Sequence, residues 1–169
     1  TRAHWVGNPL RAMLQRQIKT VPARPLRVLV IGGSQGAQFL NERLPEVMRD
    51  WSARHELSLW HQTGMQMHVQ VEMAYQQVGV EARVDEFIHH MGEAYAWADV
   101  VIARAGALTV TELWQAARPA LFIPFPYAVD DHQYTNSLAL VQIGVADVLR
   151  QSDASVEALR ERLSDYIFN

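Results

Sequence analysis

No cysteine occurs among the 169 residues, which excludes disulfides, thiolate metal sites and cysteine nucleophiles and fits a reducing compartment. No apolar run approaches the roughly 18 residues that a membrane-spanning helix needs, and no secretory apolar segment is recognisable. Charge of one sign is lacking too. Fifteen Lys and Arg against 18 Asp and Glu leave a formal net charge of −3, so there is no broad basic surface for nucleic acid or an anionic membrane. Any anionic ligand has to be held locally. Also missing is a Walker-type Gly-Lys-Ser/Thr loop, which removes a P-loop NTPase.

What is present is a chain that is 49% hydrophobic and 20% charged, enough for one domain with a sizeable core. Thr1 to Pro25 carries Pro9, Pro22 and Pro25 and no sustained periodicity, so it reads as a linker with a short helix near Leu10–Gln17. From Leu26 onward short apolar runs alternate with helical periods. Strands are expected near Arg27–Ile31, Leu57–His61, Ala82–Val84, Val100–Ala103, Ala120–Ile123 and Ala146–Leu149. Helices are expected over Gln38–Asp50, Met65–Val78, Met91–Trp97, Leu108–Ala117, Gln133–Ile143 and Ser155–Ile167. Such alternation predicts a Rossmann-like α/β domain over residues 26–169, a mostly parallel sheet with helices on both faces. Thr1 stands where an initiator methionine would, and residues 158–169 keep a helical period without a stop signal, so the sequence reads as an excised domain.

Ligands in such folds collect beyond the C-terminal ends of the strands, which directs attention to three loops. The first follows the run VLVIGGSQGA (residues 28–37). Glycines after a buried strand let backbone N–H groups approach a ligand, and the next helix points its positive end there. The spacing is not G-x-G-x-x-G, and the second strand ends at Trp60-His61-Gln62-Thr63 without the acid that grips a dinucleotide ribose. A phosphate-facing turn and a plain tight turn both remain open. The second loop runs from Arg104 to Glu112. Its Thr109-x-x-Glu112 spacing fits a capping box, while Glu112 also suits the two hydroxyls of a ribose. The third, Pro124 to Asn136, has Asp131 as a candidate N-cap and a polar group including His132 and Gln133 suited to reading sugar hydroxyls. His89-His90 are adjacent, point in different directions and lack metal spacing. Met65, Met67 and Met73, with Val69 and Tyr75, read as helix packing.

The stretches Gly7-Asn8-Pro9-Leu10-Arg11, VLVIGGSQGA, Leu59 to Gly64, Glu86-Phe87-Ile88, Ala94 to Asp99, Arg104 to Glu112, Pro124 to Tyr127 and Asp131-His132-Gln133 run in one order across nearly the whole chain. In that order the chain resembles the C-terminal half of the MurG family of bacterial peptidoglycan glycosyltransferases. The resemblance implies the donor half of a two-domain GT-B enzyme. Such an enzyme moves N-acetylglucosamine from UDP-N-acetylglucosamine to a lipid-linked muramyl-pentapeptide (lipid I to lipid II) at the cytoplasmic face of the inner membrane, as a peripheral protein. It implies no metal or other cofactor and no nucleic-acid partner, in keeping with the lack of any Asp-x-Asp. By resemblance Arg11 and Ser34 lie near the diphosphate, with Gln35 and Gly36 shaping the turn. The Ile88 backbone reads uracil, Glu112 holds the ribose, Ala107, Leu108 and Thr109 set a helix end beside the phosphates, and His132 and Gln133 meet the sugar. Ala105, His89-His90 and His132 depart from common family residues. Catalytic residues are expected in the N-terminal half, so the chain alone should bind donor without turning it over. A UDP-sugar epimerase of the same architecture and a non-enzymatic UDP-binding module are the alternatives.

Overall fold

The computed structural model of the chain describes residues 24–33 and 37–168, with side chains as far as Ser164. The expected linker and short helix before residue 24, and with them Arg11, lie outside the described residues, as do Ser34, Gln35 and Gly36.

Six parallel strands form one sheet: β1 (Leu26–Ile31), β2 (Leu57–Gln62), β3 (Ala82–Asp85), β4 (Val100–Ala103), β5 (Ala120–Phe122) and β6 (Ala146–Val148), in the order β3-β2-β1-β4-β5-β6. Helices α1 (Gln38–Ser52), α2 (His68–Gln77), α3 (Met91–Trp97), α4 (Ala107–Ala116), α5 (His132–Val141) and α6 (Val156–Phe168) make the crossovers and close the chain. A short 3-10 turn, Val129–Asp131, precedes α5.

The apolar character of β1 follows from its place. A central parallel strand is covered on both faces, so it reads as an unbroken apolar run. Its side chains still alternate. Val28 and Val30 join Leu40, Leu44 and Trp51 of α1, Tyr75 of α2 and Leu159 of α6. Leu29 and Ile31 join Tyr95 of α3, Leu113 of α4 and Leu140 of α5. Strand β4 divides the same way, Val100 and Ile102 to one side, Val101 and Ala103 to the other. Each fully buried leucine in these layers contributes about 2 kcal/mol, and the sum fixes the register. A slip by one residue would exchange the two faces.

Observed boundaries fall close to those expected, with one instructive shift. Helix α2 starts at His68 rather than Met65, because Gly64 (φ 82°) and Gln66 (φ 65°) are both left-handed and cannot belong to a right-handed helix. With that start, Met65, Val69 and Met73 face solvent at 73%, 64% and 52% exposure. Their expected packing role fails, while Tyr75 is buried as anticipated. His89 and His90 are exposed, the His89 ring lying edge-on to Phe87.

One buried polar pair sits inside the first core layer. His61 of β2, fully buried, has its Nδ1 hydrogen-bonded to the Tyr75 hydroxyl at 2.8 Å, and its Nε2 is buried without a partner among the described residues. Burial pushes the His61 pKa from 6.5 down to about 3 and the Tyr75 phenol up, since both charged forms would be desolvated. Above pH 6.5 the imidazole is neutral in the folded and unfolded chains, so its stabilisation relative to a protonated ring is complete. Between 6.5 and about 3 only the unfolded chain takes the proton, and stability falls as pH falls, by about 1.4 kcal/mol per pH unit once well below 6.5. His61→Gln keeps a partner for the Tyr75 hydroxyl and removes the titration. Urea midpoints from pH 7 to pH 4 should therefore decline less steeply in the variant than in the unaltered chain, and parallel slopes would refute the assignment.

Candidate functional site

The chain leaves β1, builds β2 and β3 on one side, then returns to add β4, β5 and β6 on the other. The connections beyond the C-terminal ends of β1 and β4 therefore diverge and leave a crevice between them. A cavity of about 530 Å³ lies there. Gly32 and Gly33 form its wall after β1, Ala37, Gln38, Phe39 and Glu42 at the start of α1 another, and Arg104, Gly106 and Thr109 a third. Phe125 and Tyr127 from the loop after β5, Gln133 of α5 and Gln151 after β6 complete it.

Two helices begin at this cavity. Helix α1 starts behind Ala37 and α4 behind Gly106, neither with a side-chain cap and neither with an acidic residue in its first turn. First-turn N–H groups have no partner within their helix, and the dipole makes that end positive. Two such ends lining one cavity make it suited to an anion. The capping alternative for Thr109-x-x-Glu112 does not apply, because the N-cap is Gly106 and Thr109 is the third helical residue. Glu112 is buried, and its Oε2 accepts a 2.9 Å hydrogen bond from the Tyr95 hydroxyl. Asp131 does occupy the N-cap position of α5 but makes no cap bond. Its carboxylate instead pairs with Arg150 at 2.8 Å. Arg150 also lies 4.0 Å from the Tyr134 ring centroid.

The loop after β5 is held in an unusual backbone. Asp130 and Asp131 are successive left-handed residues (φ 50° and 52°), a conformation that costs about 1 kcal/mol or more for each non-glycine residue. Two side chains at its end are oriented by their own hydrogen bonds. Gln133 Oε1 accepts from the Phe125 N–H at 3.0 Å, which leaves the carboxamide NH₂ to donate. His132 Nδ1 donates to the Val129 carbonyl at 2.8 Å, so in the neutral ring Nε2 is the acceptor.

Of the residues expected from the sequence, the structure brings Thr109 and Gln133 to the cavity wall. Gly33 and Ala37, which flank residues 34–36, are there as well. Ala107 and Leu108 form the first turn of α4, with Leu108 43% exposed. Ile88 is buried in the second core layer, so only its main chain can serve a ligand. Ile88, Glu112 and His132 are not part of the cavity wall.

Sequence reasoning missed Arg104 and Gln151. Arg104 Nη1 donates to the carbonyls of Ile123 (2.9 Å) and Pro124 (3.0 Å), and Nη2 donates to Gln151 Oε1 (2.7 Å). One guanidinium thus ties together the loops after β4, β5 and β6 and keeps a positive charge at the cavity. Burial lowers its pKa to about 10, which still leaves it charged at neutral pH. A signal for Arg104 existed, since a cation directly after a wholly apolar strand has nowhere else to point. For Gln151 there was none. Arg104→Met should destabilise the chain by about 2–3 kcal/mol through lost charge-assisted bonds. Combined with Gln151→Ala, the two changes should fall short of additivity by about 0.5–1.5 kcal/mol in urea unfolding; strict additivity would show that the strut carries no energy.

Residues 27–169 match the family model described as the glycosyltransferase family 28 C-terminal domain. A protein of Shewanella frigidimarina named UDP-N-acetylglucosamine–N-acetylmuramyl-(pentapeptide) pyrophosphoryl-undecaprenol N-acetylglucosamine transferase is 45% identical over 169 residues, covering 97% of this chain and 46% of that protein. Among solved structures, Acinetobacter baumannii MurG aligns with a TM-score of 0.79 at 40% identity, over 86% of this chain and 42% of that one. The calicheamicin glycosyltransferase CalG4 aligns with a TM-score of 0.64 at 17% identity, over 92% and 38%, a likeness of fold. The chain spans about half the length of the curated relatives it matches.

Proposed function

The chain belongs to the glycosyltransferase family 28 C-terminal domains, and from that membership we propose that it is the donor-binding half of an inverting N-acetylglucosaminyltransferase. The donor is UDP-N-acetylglucosamine and the acceptor a lipid-linked muramyl-pentapeptide, met at the cytoplasmic face of a bacterial inner membrane by peripheral association. Among the described residues no helix is long and apolar enough to cross a membrane. The observation that carries the donor assignment is the cavity at the strand-order reversal, where two uncapped helix starts and Arg104 surround one space.

In this reading the diphosphate lies between the starts of α1 and α4, with residues 34–36 and Arg11 completing its surroundings. The Ile88 main chain meets the uracil edge. Glu112, one oxygen of which is already oriented by Tyr95, accepts from the ribose hydroxyls. The Gln133 NH₂ and His132 Nε2 meet the hydroxyls of the sugar. The acceptor hydroxyl attacks the anomeric carbon from the side opposite the diphosphate, the carbon–oxygen bond to UDP breaks, and the acceptor's proton passes to a base outside the described residues. Negative charge grows on the departing diphosphate, so helix ends directed at it and the positive charge of Arg104 beside it favour the transition state over the bound ground state.

Calorimetric titration should detect binding of both UDP and UDP-N-acetylglucosamine to this chain, without turnover. Gln133→Ala should weaken the nucleotide sugar about tenfold, the equivalent of roughly 1.4 kcal/mol, and UDP by less than twofold. The unaltered chain should also prefer UDP to its 2′-deoxy analogue, and Glu112→Gln should reduce that preference. Absence of UDP binding at millimolar concentration would overturn the donor assignment, and an undiminished preference in Glu112→Gln would remove Glu112 from the ribose.

A further inference from the structure

The last residue of β2, Gln62, is only 3% exposed and lies between Ile31 of β1 and Asp85 of β3 in the sheet register. Its carboxamide spends every strong contact on two neighbouring loops. Oε1 accepts from the Gly33 N–H at 3.1 Å, while Nε2 donates to the Gly33 carbonyl at 2.9 Å and to the Glu86 carbonyl at 3.0 Å. Its main-chain carbonyl accepts from the Gly32 N–H at 3.3 Å.

Gly33 is left-handed (φ 84°) with open space where a side chain would be, so local sterics do little to fix the peptide planes on its two sides. The one carboxamide fixes both. Ala37, four residues later in the sequence, stands at the start of α1. On the other side, the held Glu86 carbonyl also accepts from the Gly64 N–H at 3.1 Å, and the Glu86 carboxylate accepts from the Gln66 N–H at 2.9 Å. Ile88 follows two residues later. A buried amide that only filled volume could be replaced by an apolar side chain of equal size. Here both partners are the opening residues of loops that lead to separate ends of the site.

We propose that Gln62 is a positioning residue that fixes the separation between the diphosphate end and the base end of the donor site, an inference that rests on the donor reading above. The Gly33 N–H is consumed by Gln62 and does not donate to phosphate, so the donors on this side come from the first turn of α1. A ligand that spans both ends senses the strut, whereas a ligand that occupies one end does not.

Gln62→Met keeps the side-chain length and removes all three side-chain bonds. Gln62→Glu keeps the acceptor for the Gly33 N–H but, when ionised, opposes a negative oxygen to two carbonyls. Affinities of UDP, uridine and inorganic pyrophosphate for the 169-residue chain are to be measured by calorimetry and ligand-detected NMR. In Gln62→Met, UDP should weaken at least tenfold while uridine and pyrophosphate each change less than twofold. In Gln62→Glu, the UDP deficit relative to the unaltered chain at the same pH should be large at pH 7.5 and shrink toward pH 5, as the carboxyl gains a proton and becomes a donor. That pH rescue decides the matter if Gln62→Met does not fold. Equal weakening of all three ligands, or unchanged UDP affinity with only a lowered unfolding midpoint, would reduce Gln62 to a packing role and leave the donor reading intact. If the unaltered chain binds no UDP, the donor reading and this inference fall together.

Discussion

The rest of the structure depends on β1 being central. A strand flanked by parallel neighbours on both sides and covered by helices above and below has no polar surface to offer, so its ligand chemistry is forced to its C-terminal end. The chain then has to leave in one direction for β2 and return in the other for β4, and the crevice between those departures is lined by the starts of α1 and α4. The hydrophobic effect thus locates the site before any polar residue is considered. Polar residues then define what it binds.

Those polar residues are arranged as struts beneath the loops as much as contacts for a ligand. Gln62 ties the turn after β1 to the loop after β3, and Arg104 ties the loops after β4, β5 and β6. Each is one side chain bonded to backbone or amide groups of distant segments, which costs less conformational entropy than holding every loop separately. The two struts flank the strand-order reversal. The strained pair Asp130 and Asp131, with the bond from Phe125 to Gln133, supplies a third constraint where α5 meets the cavity.

Much of the fold was legible because parallel-sheet strands leave short apolar runs and their covering helices leave a 3.6-residue stripe. The start of α2 was misplaced, since Met65 fits the helical stripe while the left-handed backbone at Gln66 leaves no mark on composition. The candidate cavity was legible to the level of loops. Thr109 and Gln133 sit at the cavity, but the capping-box spacing of Thr109 and Glu112 was a coincidence of residues already inside the helix. Asp131 has the right residue type and position for a cap, yet it is drawn to Arg150, nineteen residues away. Short-range patterns predicted short-range bonds that long-range partners took over.

The sequence by itself determined the alternation of strands and helices, the glycine turn after the first strand and the exclusion of dinucleotide and Walker geometry, because periodicity and motif spacing are local properties of the chain. Only the tertiary structure decided that Arg104 and Gln151 meet, that Gln62 grips Gly33, and that Glu112 rests on Tyr95. Those contacts join residues 47, 29 and 17 positions apart. Nothing local specifies them, and they form only once the sheet order has brought the loop ends side by side.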